Sequence, residues 1–254
     1  MGNFINNRAF LPPKESSNSS LSCLPHLFIE TSHNTIIPII YIKRRKSVCT
    51  VIFSHGNAEL ITDNYNWLRF LSDRLNIDIL SYEYDGYGYS RWKDPYSIQL
   101  TPNESFIYGD IEAAWNFLIS RNVDPSKILL YGRSIGTGPT VHLASKVSCG
   151  GVILQAPFCS IVRVAYYTPF TLPFDIFANI DKINRIRNSL LIIHGSSDKV
   201  IPIDHGKELF NRALCKKDHL WITGADHNDI ETNFTRISVD NLEKFIESCL
   251  PDRN

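Results

Sequence analysis

The chain has 254 residues, with 26 Lys+Arg against 26 Asp+Glu, 43% hydrophobic and 11% aromatic residues. Balanced charge gives no sign of nucleic acid or an anionic surface as a partner, and the apolar fraction excludes a disordered polymer. The length suits one large α/β domain with a sizeable core, and by itself would also permit two smaller ones.

Residues 1–22 are polar, with Pro12-Pro13 and a Ser/Asn run at 16–20, and read as a flexible tail ahead of a domain over 23–254. Gly2 raises N-myristoylation, although Asn6 stands where Ser or Thr is usual, and one acyl chain anchors a protein only marginally. The first residues lack the features of a secretory leader, and apolar stretches such as Ile36 to Ile42 are too short to span a bilayer. An intracellular, cytoplasmic protein with at most peripheral membrane contact is expected, and a monomer is favoured. Six scattered cysteines without a C-x-x-C pair predict reduced thiols and no metal site.

His26 to Thr31 and Thr35 to Ile42 predict a pair of antiparallel strands, followed by the basic turn Lys43 to Lys46. A buried strand over Val48 to Phe53 runs into Ser54-His55-Gly56-Asn57-Ala58. Asp63 to Leu75 has helical spacing, Ile77 to Tyr82 is strand, and a helix opens near Asn103. The apolar run Ile128 to Leu130 then enters Tyr131-Gly132-Arg133-Ser134-Ile135-Gly136, with helix from Thr137. Downstream follow a strand at Gly151 to Gln155, an aromatic excursion over 157–180, and a strand at Leu190 to Ile193. A helix at Ile203 to Leu214, a last strand at His219 to Ile222 and a helix at Phe234 to Cys249 close the chain. This alternation predicts an α/β fold with a mostly parallel, doubly covered sheet of about eight strands, antiparallel at its start.

Gly132-Arg133-Ser134-Ile135-Gly136 is a G-x-S-x-G sequence in strand–turn–helix context, which holds a serine hydroxyl on a sharp turn at a helix N-terminus. Such a hydroxyl needs a base, and the base an orienting acid. Asp198 follows the strand ending in Ile193-His194-Gly195, and His227 follows the next one. The order Ser134, Asp198, His227 is that of α/β-hydrolases. Asp204 and Asp175 are the rival acids, and Ser134 as a mere helix cap is the rival reading of the serine. Asp226 adjoins His227 but is expected to point away from its ring. Oxyanion donors are expected at the Ile135 amide and in the loop after the first parallel strand, at Asn57 or, as runner-up, Ala58. Phe158, Tyr166, Phe170 and Phe174 are candidates for an apolar acyl slot under a small cap.

These motifs resemble the α/β-hydrolase domain-containing protein 17 family over residues 25–250. The likeness is carried by Ser54-His55-Gly56-Asn57-Ala58, Tyr84-Asp85-Gly86-Tyr87-Gly88, the Gly132 to Thr137 stretch and Ala178-Asn179-Ile180-Asp181-Lys182-Ile183. Ile193 to Asp198 and Gly224-Ala225-Asp226-His227-Asn228-Asp229-Ile230-Glu231 complete it. The resemblance implies an acyl-protein thioesterase that removes palmitate from protein cysteines, with Ser134 as nucleophile, Asp198 as acid, His227 as base and no cofactor. Two departures stand out. Animal members carry an N-terminal cysteine cluster where this chain has only Cys23 in its first 48 residues, and Asp226 replaces a usual glycine. The open alternatives are a carboxylesterase or lipase of small esters and a catalytically silent scaffold.

Overall fold

The computed structural model describes residues 9–13, 21–97, 100–166 and 168–250. The chain forms two compact units, 1–124 and 125–254, with the boundary at Asp124-Pro125, a gap that looks in sequence like any other loop.

In the first unit, β1 (Leu27–Glu30) and β2 (Thr35–Ile42) pair antiparallel, as expected, with Leu27 opposite Ile39. β2 also pairs antiparallel with β4 (Asp78–Tyr82), and β4 pairs parallel with β3 (Thr50–Ser54). Every residue of β3 and β4 is buried, which is why neither shows a regular apolar–polar alternation. A two-residue strand, β5 (Arg91–Trp92), adds to the start of β2 and escaped prediction because it is too short to show a period. Helix α1 (Tyr65–Leu75) buries Leu68, Leu71 and Leu75 on one stripe and ends on Asn76 in the left-handed conformation, whose N–H reaches the Ser72 carbonyl. Helix α2 (Glu104–Ser120) starts where Asn103 accepts the Phe106 amide.

The reading of 1–22 as a flexible tail is corrected at two described places. Ala9 and Phe10 are 7% and 3% exposed, and Leu21 is buried against Ile40 and Ile61. The polar average over 22 residues masked short apolar clusters able to dock. Gly2 lies outside the described residues.

Asp85 and Asp110 are fully buried beside each other: the Asp110 carboxylate accepts the Asp85 amide at 2.8 Å, and Thr35 Oγ1 donates to Asp85 Oδ2 at 2.7 Å. Burial pushes the Asp85 carboxyl from 3.8 up to about 6. Burial and the neighbouring Asp85 raise Asp110 further. Folded Asp85 holds its proton more tightly than the unfolded chain does. Its contribution to stability is therefore complete below 3.8 and is lost as pH rises through about 6. Asp85→Asn is expected to flatten the dependence of Tm on pH across that interval, and an unchanged slope would contradict it.

In the second unit, β6 (Ile128–Arg133), β7 (Gly151–Gln155), β8 (Leu190–Gly195) and β9 (Lys217–Ile222) run parallel in that order. The first three are buried throughout, whereas β9, the outer strand, carries Lys217, Asp218 and His219, polar residues that blunt an open edge. Helices α3 (Thr137–Ala144), α5 (Ile203–Arg212) and α6 (Thr235–Cys249) accompany them, with the short α4 (Ile161–Ala165) inside the aromatic excursion. The described residues thus hold nine strands, one more than expected, the addition being β5. Among these residues no helix is long and apolar enough to cross a membrane.

Candidate active site

Ser134 sits at the tip of β6 with φ 53°, a left-handed conformation that few residues other than glycine adopt. The turn is held from both sides. Thr137 Oγ1 donates to the Ser134 carbonyl at 2.7 Å, and Thr140 Oγ1 donates to the Gly136 carbonyl at 2.8 Å. A Cβ on Gly132 would lie 2.5 Å from both the Gly136 carbonyl oxygen and Thr140 Oγ1, so only glycine lets strand and helix approach this closely. Gly138 has a similar duty, since its missing side chain makes room for the ring of Phe177.

Asp198 and His227 come to Ser134 from the loops after β8 and β9. His227 Nδ1 is 2.7 Å from Asp198 Oδ2, and His227 Nε2 is 3.0 Å from Ser134 Oγ. All three residues are 7–8% exposed. The two loops are stapled together: Ser197 N–H donates to the Ala225 carbonyl, Gly224 N–H to Ser196 Oγ, and Lys199 N–H to Asp226 Oδ1. Gly195 permits this, because a Cβ there would lie 2.3 Å from the Ala225 oxygen.

Burial alone would push the Asp198 carboxyl up. The hydrogen bonds from His194, His227 and the Ile201 amide outweigh it and hold Asp198 well below the usual carboxylate range. Its Oδ1 accepts the amides of Val200 (2.9 Å) and Ile201 (2.8 Å). An ionised Asp198 only accepts, so His227 Nδ1 must carry the proton and Nε2 presents a lone pair to the serine hydroxyl. His194, fully buried, lies 3.3 Å from Asp198 Oδ2 and donates from Nε2 to the Ile201 carbonyl; it braces the acid and does not face the serine.

The rival acids are placed elsewhere. Asp175 accepts the Val162 amide at the start of α4, and the exposed Asp204 pairs with Lys207 at 3.6 Å. Asp226 is half-buried and its Oδ1 accepts the amides of His227 and Lys199.

Ile135 is the middle residue of the 3₁₀ turn Ser134–Gly136, and amides in a first turn lack partners within the helix. In the first unit, Asn57 is gripped by its side chain. Oδ1 accepts from the Leu11 amide (3.0 Å), Tyr87 Oη (2.7 Å) and the Ala58 amide (3.1 Å), while Nδ2 donates to the Ala9 carbonyl (2.7 Å). The Ala58 amide is thereby engaged by the Asn57 side chain.

The expected acyl slot does not assemble as a set. Phe158 is corrected to core: it is 1% exposed and packs against Phe177 with ring centroids 6.4 Å apart. Tyr166 and Phe170 are 73% and 64% exposed, and Phe174 is also exposed. The excursion is pinned by Arg163, which donates to the Thr168 carbonyl and to Thr171 Oγ1. Composition could not divide these rings into buried and open ones.

Sequence reading also missed the role of Arg133. Its Nε donates to Glu231 Oε1 at 2.8 Å and its Nη2 to Asn228 Oδ1 at 2.9 Å. The signal was present as a charged residue inside an otherwise small and apolar turn. Among the described residues no group of three His, Cys, Asp or Glu side chains could hold a metal ion.

A serine on a strained strand-to-helix turn, within a largely parallel covered sheet, defines the α/β-hydrolase class. The solved structures agree on the fold: an esterase of Pyrococcus furiosus, Pf2001, superposes with a TM-score of 0.75 at 18% identity, over 95% of this chain and 98% of that one. Mouse alpha/beta hydrolase domain-containing protein 10 gives 0.64 at 15% identity, over 88% and 99%. The chain belongs to the alpha/beta hydrolase domain-containing protein 17 family. It is 38% identical over 239 residues to mouse protein 17C, covering 93% of this chain and 72% of that protein. With the Xenopus tropicalis 17C protein identity is 44% over 205 residues, covering 80% of this chain and 63% of the relative, slightly under two thirds of its length. No protein-family model matches the chain.

Proposed function

We propose that this α/β hydrolase cleaves fatty-acyl thioesters, with an S-acylated protein as substrate. The observation that carries the reading is the Asp198–His227–Ser134 relay, 2.7 and 3.0 Å long, ending on a serine with φ 53°. His227 takes the hydroxyl proton as Ser134 Oγ attacks the acyl carbonyl. The Ile135 amide receives the oxyanion, the C–S bond breaks, and the cysteine leaves as a thiol with the proton returned by His227. Water, deprotonated by the same histidine, then attacks the acyl-serine ester, releasing the fatty acid and regenerating the hydroxyl. Tyr166, Phe170 and Phe174, exposed on the excursion, are the apolar surface available to the acyl chain or to the bilayer in which it is embedded. Action at the cytosolic face of a membrane, by peripheral contact, fits such a substrate.

Hydrolysis of small oxygen esters is the second reading, since the same relay serves both. The deciding experiment gives wild type and Ser134→Ala a palmitoyl-thioester peptide and its oxygen-ester twin in parallel, with fluorophosphonate labelling alongside. Thioester cleavage that vanishes in the variant is the expected result. Cleavage of the oxygen ester alone moves the assignment to a small-ester hydrolase. Neither cleavage nor labelling in wild type identifies a silent scaffold.

A further inference from the structure

The triad accounts for the ends of three strands but not for the buried polar ladder beneath them. Tyr131 and Arg133 project from the same face of β6, two residues apart, and Gln155 of β7 stands in register opposite Arg133. Tyr131 Oη donates to Gln155 Oε1 at 2.5 Å, and Gln155 Nε2 donates to Glu231 Oε1 at 2.6 Å. That oxygen also receives Arg133 Nε, while Arg133 Nη2 reaches Asn228. The Arg133 and Glu231 side chains are only 9% and 16% exposed.

Burying this ion pair carries a desolvation cost that apolar residues of similar size would avoid, so its presence calls for a reason other than stability. Its position supplies one. Arg133 immediately precedes Ser134, Asn228 immediately follows His227, and Glu231 lies in the same loop. Between serine and histidine themselves there is one hydrogen bond, 3.0 Å long, joining residues 93 apart in sequence. The ring is oriented by this bond and by Asp198 at 2.7 Å, but both act at the reacting atoms, and neither ties the backbone of the histidine loop to the end of the serine strand. A planar guanidinium holding two residues of the histidine loop by two separate N–H groups fixes that loop in position and in rotation.

We propose that Arg133 is a positioning residue: its fork to Glu231 and Asn228 clamps the His227 loop onto the end of the serine strand and sets the Ser134–His227 geometry for proton transfer. Gln155 and Tyr131 hold the Glu231 carboxylate in place for the fork. The proposal rests on the reading of Ser134 as nucleophile and His227 as base. Lysine at 133 would keep the charge and lose the fork, which separates clamping from a field effect.

The test uses the full chain with Arg133→Lys, Arg133→Gln and Asn228→Ala, the last breaking one arm without stranding a buried charge. Rates are measured per active site titrated with a fluorophosphonate, so that unfolded molecules do not count, and at temperatures well below each variant's Tm. Misplacing a catalytic group by an ångström costs on the order of 100-fold. Both Arg133 variants are therefore expected to lower kcat about 100-fold and Asn228→Ala about 10-fold, with KM within about twofold of wild type. Failure of Arg133→Lys to rescue Arg133→Gln is part of the expectation. Wild-type activity that depends on Ser134, together with kcat unchanged in folded Asn228→Ala and Arg133→Lys, overturns the clamp alone. A rise in KM at constant kcat also overturns it. Equal rates in wild type and Ser134→Ala overturn the nucleophile reading, and the clamp with it.

Discussion

On the proposed mechanism, Asp198→Asn is expected to lower kcat about 10⁴-fold and Ser134→Ala about 10⁶-fold, the scale set by relays of this kind in serine hydrolases. The asparagine result follows from the hydrogen bonds around the acid. Asp198 Oδ1 accepts two backbone amides, from Val200 and Ile201, and Oδ2 accepts from His227 Nδ1. An asparagine must keep its carbonyl oxygen toward the two amides, because turning its NH₂ to them would set donor against donor. The NH₂ then faces His227 Nδ1, which can meet it only by giving up its proton. The ring is left with its hydrogen on Nε2, pointing at Ser134 Oγ 3.0 Å away, and cannot accept the hydroxyl proton. Geometry survives while the tautomer is wrong, so KM should change little. Steady-state kcat with active-site titration at neutral pH checks this. An Asp198→Asn enzyme within tenfold of wild type would falsify the assignment of Asp198 as the orienting acid.

The second large effect is structural. Gly132→Ala is expected to destabilise the chain by about 3 kcal/mol, the upper end of the usual cost of overpacking. The added methyl would meet the Gly136 carbonyl oxygen and Thr140 Oγ1, both at 2.5 Å. Neither can retreat cheaply, since the two are hydrogen-bonded to each other and the carbonyl is backbone. For a chain of this size each kcal/mol moves Tm by about 2–4 °C, so a fall of about 10 °C is expected in a thermal scan. The turn that would have to shift is the one holding Ser134 at φ 53°, so kcat per folded molecule should fall as well. A variant with wild-type Tm would mean that strand and helix are less closely packed than the contact at Gly132 indicates.

Much of this was legible before any coordinates. The largely apolar strands β3, β4, β6, β7 and β8, which lack a strict polar alternation, announced a sheet covered on both faces. The stripe Leu68, Leu71, Leu75 gave α1, and Asn103 gave the start of α2. Gly132, Ser134, Asp198 and His227 were legible because local rules place them: a glycine where no side chain fits, and polar residues just past strand ends.

What failed did so where the answer depended on distant contacts. β5 is two residues long, and its identity as a strand exists only through pairing with β2. Phe10 and Leu21 looked like parts of a polar tail until partners were found for them. Phe158 and Phe170 lie twelve residues apart in the same aromatic stretch, yet one is buried and the other open.

The sequence by itself therefore determined the elements of this protein, their alternation, and which serine, acid and histidine stand at strand ends, since periodicity and turn chemistry act over a few residues. Only the tertiary structure decided that Asp198 and neither Asp175 nor Asp204 meets His227, that His194 braces the acid, and that Arg133 grips the loop beyond it. Those contacts join residues up to 98 positions apart. No local pattern encodes them, because they arise only when parallel strands bring their carboxyl ends to one edge.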